Sequence, residues 1–434
     1  MAVVTYEEAE RYISGIPGFA AKHTPEDAKK LLNEITQDGI DARIIHVAGT
    51  NGKGSVCAYL RSILMEAGAS VGMFISPHLE TMRERISLDG RMISREDFAL
   101  AFEKVKKILP PQRERHPSFF EFLFLMAMSY FKEKKPEYII LETGMGGRLD
   151  ATNTIEKPDV CVITEIGYDH MQYLGDTLEE IAEEKAGIMK RSVPVVFADR
   201  HEQATKILRR RVRQLGILSV IVGKDHISAV NIGKKTIDFS LHTGYYNYVS
   251  LFLETTALYQ VENASLAVCA AQILSEADGR IGEKVIRRGL RTAFWPGRME
   301  EVLPGVYLDG AHNEDGIEAF LNSVRGIACR GKRRLLFGAV ADKRYESMVR
   351  QLVGSGLFAD VAVTVLASQR SVSFDKLQEV WGQYNQIYCS YHKSAEEAVS
   401  RLLSDREEAD LVYIAGSLYL AGQVKALLRR MPDD

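Results

Sequence analysis

The chain has 434 residues, 46% of them hydrophobic, which is more than one compact core usually holds and predicts two domains. Its 55 Lys and Arg nearly balance 58 Asp and Glu, and a formal charge of -3 excludes a global field that would draw in nucleic acid or an anionic membrane. Five scattered cysteines with no CxxC pair exclude a disulfide framework and a cysteine metal site, and read as core-filling thiols.

The start, MAVVTYEEAERY, lacks the basic residues and apolar run of a signal peptide, and the longest apolar segment, FFEFLFLMAMSYF, is too short to cross a bilayer. A cytoplasmic protein with no membrane partner is expected. Short β-rich runs (ARIIHVAG, SVGMFIS, EYIILETG, DVCVITEIG, VPVVFAD) then alternate with amphipathic helical stretches. That alternation predicts an α/β fold with a P-loop-type, doubly wound, mostly parallel sheet. Between about 200 and 260 the pattern turns to strand-like alternation, which predicts an added small antiparallel sheet. After FWPGRMEEV a second alternating set (GVYLDGAHN, RRLLFGAV, DVAVTVL, QIYCSY, DLVYIAGS) predicts a smaller Rossmann-like α/β domain. Trp-Pro-Gly at 295–297 is the best linker, so the expected domains are 1–295 and 298–434.

The loop AGTNGKG follows ARIIHV and leads into SVCAYLRSILMEAGA, where Val56, Leu60, Ile63, Leu64 and Ala67 share a helical face and Gly68 is placed to cap the end. Strand, glycine loop and helix together form a phosphate cradle, because backbone N–H groups and the helix N-terminus face the anion and glycine lets the backbone approach. Lys53 would then reach the β- and γ-phosphates and the Ser55 hydroxyl would meet Mg²⁺. The spacing departs from GxxxxGK[ST], since Val47 stands at the first position and Gly54 where the hydroxyl is expected. On this motif alone an ordinary glycine-rich turn stays open.

Glu142 ends its strand where a carboxylate would hold the Mg²⁺ that bridges phosphates, and TGMGGRLDATN after it reads as a pocket wall or a plain turn. Asp169 and His170 follow the next strand. In DTLEEIAEEKAGIMK, Thr177 and Glu180 form a capping box, and Leu178, Ile181, Ala182, Ile188 and Met189 share one stripe with Lys185. Lys185 either snorkels from the edge of that face or is desolvated, so that a neutral amine takes up CO₂ as a carbamate able to ligate metal.

Taken in order, GTNGKGS, SPHL…ERI, ETGMGGRLDATN, DH…LGDTLEEIAEEKAGI, NA, PGRME and DGAHN resemble the folylpolyglutamate synthase and dihydrofolate synthase family of the Mur ligase superfamily. The resemblance runs from about residue 40 to AGSLYLAG, and the family's shorter glycine loop accounts for the spacing. ETGMGG differs from the commoner EVGLGG but keeps the acid and the glycines. The resemblance implies that Asn51, Gly52, Lys53 and Gly54 hold ATP phosphates, with Asn263, Arg298 and Asp309 as further nucleotide contacts. It implies two Mg²⁺ sites, with Ser55 and Glu142 as ligands, His170 at the second, and a CO₂-derived carbamate on Lys185. His312 would serve the γ-phosphate or the incoming glutamate and, with Lys53, His170 and Lys185, complete the catalytic set. Ser118, Phe119, Phe120, Glu121, Leu149, Asp150 and Ala151 match positions that hold the pteroate part of the substrate, although Phe119 and Phe120 also read as core.

The implied function is an ATP-dependent ligase that joins L-glutamate to a reduced folate, or to dihydropteroate, through an acyl phosphate in folate biosynthesis and one-carbon metabolism. A monomer is expected, with GIPGFAAKHTPEDAKK in the region that encodes substrate preference. A cell-wall Mur ligase would share the site but needs a domain for a UDP-sugar, with little room ahead of residue 40. A GTPase-like switch would need an NKxD motif, and none occurs.

Overall fold

A computed structural model describes residues 4–18, 24–37, 39–109, 116–243 and 247–430. Residues 19–23, inside the segment expected to set substrate preference, lie outside the described residues, as does the 244–246 tip of the antiparallel insertion. The first sheet contains β1 (Arg43–Ala48), β2 (Val71–Phe74), β3 (Ile86–Leu88), β4 (Arg91–Met92), β5 (Tyr138–Glu142), β6 (Val160–Ile163), β7 (Val195–Asp199) and β8 (Ser219–Gly223). Their order is β4-β3-β2-β5-β1-β6-β7-β8, and only the β3–β4 edge runs antiparallel. Helices cover both faces, so the central strands are buried throughout and read as unbroken apolar runs.

The register decides where the chemistry sits. Val47 pairs with Glu142 on one side of β1, and Ala48 pairs with Ile163 on the other. The carboxyl ends of β5, β1 and β6 therefore lie side by side, and the three loops that leave them share one rim.

β9 (Ile227–Ile232), β10 (Ile237–His242) and β11 (Asn247–Leu253) form the expected antiparallel sheet. The stretch from 200 to 223 does not join it; that part supplies the helix Glu202–Leu215 and β8 of the main sheet. The last sheet contains β12 (Glu300–Leu303), β13 (Val306–Leu308), β14 (Arg333–Phe337), β15 (Asp360–Thr364), β16 (Tyr388–His392) and β17 (Leu411–Ala415), in the order β12-β13-β17-β14-β15-β16. It is parallel except for β12.

The apolar run FFEFLFLMAMSYF becomes the helix Phe119–Lys134, buried continuously from Phe122 to Phe131 against the first sheet. Among the described residues no helix is long and apolar enough to cross a membrane. The helix Lys53–Glu66 ends with Ala67 as its cap, and Gly68 follows with φ +80°. The helix Leu178–Ala186 stops before Ile188 and Met189, which are buried in the turn after it and so do not extend the helical stripe. All five cysteines are free; Cys57, Cys161 and Cys269 are buried, whereas Cys329 and Cys389 are only half-buried.

Candidate active site

The phosphate loop is held by its contacts on both flanks. Gly52 opens the helix with φ +88°, and a Cβ there would come 2.2 Å from Asn263 Oδ1. Gly49 has φ +150°, and its Cβ would come 1.8 Å from Thr164 Oγ1. Only glycine fits either position. Asn263 lies in the first turn of the helix Gln260–Ser275, three residues inside its start, and its amide donates to Gln260 Oε1 at 3.0 Å. Gln260 Nε2 in turn donates to Ser55 Oγ at 3.1 Å. Trp295 of the linker lies on Gly54, where a Cβ would meet the ring at 2.8 Å.

Two lysine amines converge on one carbonyl. Lys53 Nζ donates to Gly49 O at 3.0 Å and Thr50 O at 3.1 Å, and Lys185 Nζ donates to the same Gly49 O at 2.8 Å. Lys185 is only 3% exposed, so it is desolvated rather than snorkelling. Burial, with Lys53 beside it, lowers its amine to about 7. A neutral nucleophile is therefore accessible there near neutral pH.

Glu142 is buried, its Oε2 accepts from Ser76 N at 3.0 Å, and burial raises its pKa against the pull of Lys53. SPHL belongs to the family pattern without giving Ser76 a role of its own; the fold stands Ser76 against the expected metal ligand. After β6, Asp169 pairs with Lys343 and accepts from Asn313 Nδ2 at 3.3 Å. The imidazoles of His170 and His312 flank it at 3.9 and 3.8 Å. Asp169 is held well below the usual carboxylate range by Lys343 and the two histidines, which outweigh its burial. Burial lowers both histidines to about 4, so both are neutral at pH 7. His312 Nδ1–H donates to Gly310 O at 2.7 Å, which leaves the lone pair on Nε2.

The second half of the chain closes the rim. Asp309 accepts from Tyr259 OH at 2.5 Å, Met299 N at 2.9 Å and Ala311 N at 2.8 Å, with Arg298 opposing the upward effect of burial on its pKa. Asn313 caps the helix Glu314–Gly326 and exchanges amide hydrogen bonds with Asn51 of the phosphate loop at 3.0 and 3.3 Å. Glu165, His201 and Asp315 bring ligand atoms within 4.8 Å of one another, but Arg200 Nε already pairs with Glu165 Oε1 at 2.8 Å.

Two cavities share a wall made by Ser76, Pro77, Gly144, Met145, His170 and His312. The first opens to solvent and is lined by the phosphate loop, Ser55, Glu142, Lys185, Asn263, Arg298 and Asp309. The second is larger, also opens to solvent, and is lined by Ser118, Phe120, Glu121, Leu149, Asp150 and Ala151 among others. Not all of these face it with a spare polar group. Ser118 and Glu121 cap one another at the start of their helix. Asp150 accepts from Gly144 N, Met145 N, Thr152 N and Thr152 Oγ1, so its carboxylate builds the loop. Phe120 packs on Phe74 at 5.3 Å as well as lining the cavity, whereas Phe119 carries the Arg85 guanidinium 5.0 Å above its ring. Leu149 is 60% exposed.

The oxygen donors of Ser55 and Glu142 suit a hard divalent cation such as Mg²⁺, but the Lys185 amine does not; a carbamate on it would. Two family models match the chain, the Mur ligase middle domain over residues 47–271 and the Mur ligase glutamate ligase domain over 297–418. The chain is 33% identical to the dihydrofolate synthase/folylpolyglutamate synthase of Bacillus subtilis (strain 168), over 98% of this chain and 99% of that one. It is 29% identical to the folylpolyglutamate synthase of Lacticaseibacillus casei over the same shares. Its structure superposes on E. coli FolC in complex with DHPP and ADP with a TM-score of 0.87 and 26% identity, covering 99% of this chain and 100% of that one. The folylpolyglutamate synthase of Thermotoga maritima gives a TM-score of 0.82 and 32% identity, covering 98% and 97%.

Proposed function

The chain belongs to the folylpolyglutamate synthase and dihydrofolate synthase family of Mur ligases, and we propose that it is an ATP-dependent ligase that joins L-glutamate to a folate. The single observation that carries the reading is the shared rim, on which the phosphate loop, Glu142, His170, Lys185 and His312 border a cavity that adjoins a larger one.

A carboxylate does not condense with an amine at neutral pH. In the proposed reaction the acceptor carboxylate attacks the γ-phosphorus of ATP, giving an acyl phosphate and ADP. The amino group of glutamate then attacks the acyl carbon, and the tetrahedral adduct expels phosphate. Asn51, Gly52, Lys53 and Gly54 hold the phosphates, and Lys53 balances charge that builds up on the transferred group. Mg²⁺, when bound by Ser55 and Glu142 and, at a second site, by His170 and a carbamylated Lys185, neutralises phosphate charge. Asn263, Arg298 and Asp309 keep the nucleotide between units 1–295 and 298–434. His312, with its lone pair on Nε2, accepts from and orients the incoming glutamate amine, whose proton leaves with the expelled phosphate. Closing the rim excludes water from the acyl phosphate. We propose a cytoplasmic monomer, supported by an acceptor and a nucleotide cavity built from one chain.

Purified protein should release ADP over many turnovers only when both glutamate and a folate acceptor are present; sustained ADP release without the folate acceptor, or beyond one equivalent per enzyme without glutamate, would refute the reading. Dihydropteroate and tetrahydrofolate supplied in parallel identify which glutamate addition it performs.

A further inference from the structure

Four cationic side chains line the larger cavity: Arg85, Arg148, Lys343 and Arg370. Three are matched by acids of the chain, Arg148 by Glu184, Lys343 by Asp169 and Arg370 by Asp342. Arg85 has no ion-pair partner among the described residues, yet it is only 7% exposed. Its two close contacts are neutral. Nε donates to His78 Nδ1 at 2.8 Å, and the guanidinium lies over the Phe119 ring. These contacts fix the plane of the group without balancing its charge. Glu142 and Glu84 act on its charge without forming an ion pair with it, since Glu142 accepts from Ser76 N and Glu84 from the amides of Leu79, Glu80 and Thr81. A buried guanidinium with no acid paired to it is costly to a fold, and one kept on a cavity wall suits an anion that arrives from outside.

The acids on the same wall do not supply that anion. Glu184 serves Arg148, Asp150 accepts four donors of its own loop, and Glu121 caps its helix. The position of Arg85 narrows the choice further. It ends the turn Met82–Arg85, and its carbonyl accepts from Ile75 N at 3.0 Å, which ties it to the Ser76 segment beside Glu142. Glu142 is close enough to act on its charge. The guanidinium therefore stands between the aromatic wall of the acceptor cavity and the rim where the γ-phosphate is expected.

We propose that Arg85 binds the carboxylate of the acceptor, the group that becomes the acyl phosphate, and that His78 is a positioning residue that sets the guanidinium plane. The planar fork takes both carboxylate oxygens at once and presents one toward the phosphate. Because a guanidinium only donates, His78 Nδ1 accepts and its proton sits on Nε2. The proposal rests on the ligase reading.

Calorimetric binding to the full chain with ADP bound, using dihydropteroate and its carboxamide, tests it. The wild type should favour the carboxylate at least tenfold. Arg85→Gln should bind both equally, by losing affinity for the carboxylate, and Arg85→Lys should keep part of the preference. His78→Phe should raise the acceptor KM at least fivefold with kcat little changed, and His78→Gln, whose amide oxygen accepts the same donor, should restore it. Unchanged ADP affinity and melting temperature identify variants that fold, and the His78 pair tests the proposal even if the Arg85 variants do not. Discrimination that survives Arg85→Gln, or a variant that raises only the KM for glutamate, overturns the assignment. A wild type that binds neither of these compounds nor tetrahydrofolate overturns the ligase reading itself.

Discussion

Lys185→Met removes the amine and keeps the length of the side chain. In the unmodified protein burial and Lys53 lower that amine from the ordinary 10.5 to about 7. The unfolded chain therefore holds a proton up to about 10.5 that the folded chain releases above about 7. Between those limits the unfolded state binds more protons, so wild-type stability rises with pH. At about 1.4 kcal/mol per proton and pH unit, the gain from pH 7 to 10 is on the order of 3–4 kcal/mol. The Met variant lacks this titration. It also loses the hydrogen bond to Gly49 O, a net loss of about 1 kcal/mol, although that carbonyl keeps Lys53 as a donor. At pH 7 the inactive variant should thus be more stable than the wild type by about 3 kcal/mol, and the gap should close as pH rises. Urea unfolding of both proteins at pH 7, 8 and 9, in buffer stripped of CO₂ and divalent ions, measures it. A gap that does not change with pH would refute a desolvated, titrating Lys185.

Lys185→Ala should lose ligase activity and regain part of it with formate or acetate, whose carboxylate can stand where the carbamate would be; an Ala variant with full activity would remove the carbamate role. Gly52→Ala puts a methyl group 2.2 Å from Asn263 Oδ1 at φ +88°, so ADP affinity should fall at least tenfold, as read by calorimetry. Thr152→Val removes one donor to Asp150 and strands the buried His46 Nε2, now 2.7 Å from Thr152 Oγ1. A destabilisation of about 1–3 kcal/mol is expected in chemical unfolding, largely recovered by Thr152→Ser. His170 and His312, lowered to about 4, should stay neutral through pH 6.5 and protonate only near pH 4 in an NMR titration. Because the unfolded imidazoles protonate first, these two groups should make stability fall as pH drops from about 6.5 to 4.

The parts of the site legible in the sequence are those that local chemistry dictates. A glycine loop between an apolar strand and a helix identifies itself, and an acid at a strand end does nearly as much, because β1, β5 and β6 pair in register without further instruction. What stayed hidden depends on contacts far apart in the chain. Lys343 meets Asp169 across 174 positions, and Asn313 meets Asn51 across 262. No periodicity encodes either pairing. Asp150 reads as a substrate contact from its motif, and only the folded turn reveals that its carboxylate also accepts four donors of its own loop. The helix stop at Ala186 was missed because Ile188 and Met189 continue the apolar spacing into a turn that also buries them. The antiparallel β3–β4 edge carries too few residues to register as strands.

The seat of Trp295 on Gly54 has a spectroscopic consequence. The protein has two tryptophans, and the other, Trp381, is fully buried with its ring edge-on to Phe337 at 5.4 Å. Trp381 is sealed from events on the rim, whereas Trp295 rides on the loop that receives the phosphates. Near-ultraviolet emission therefore divides into a steady component and a responsive one. With Trp381 changed to Phe, the remaining signal becomes an unlabelled gauge of the phosphate loop, fast enough to time nucleotide arrival within a single turnover.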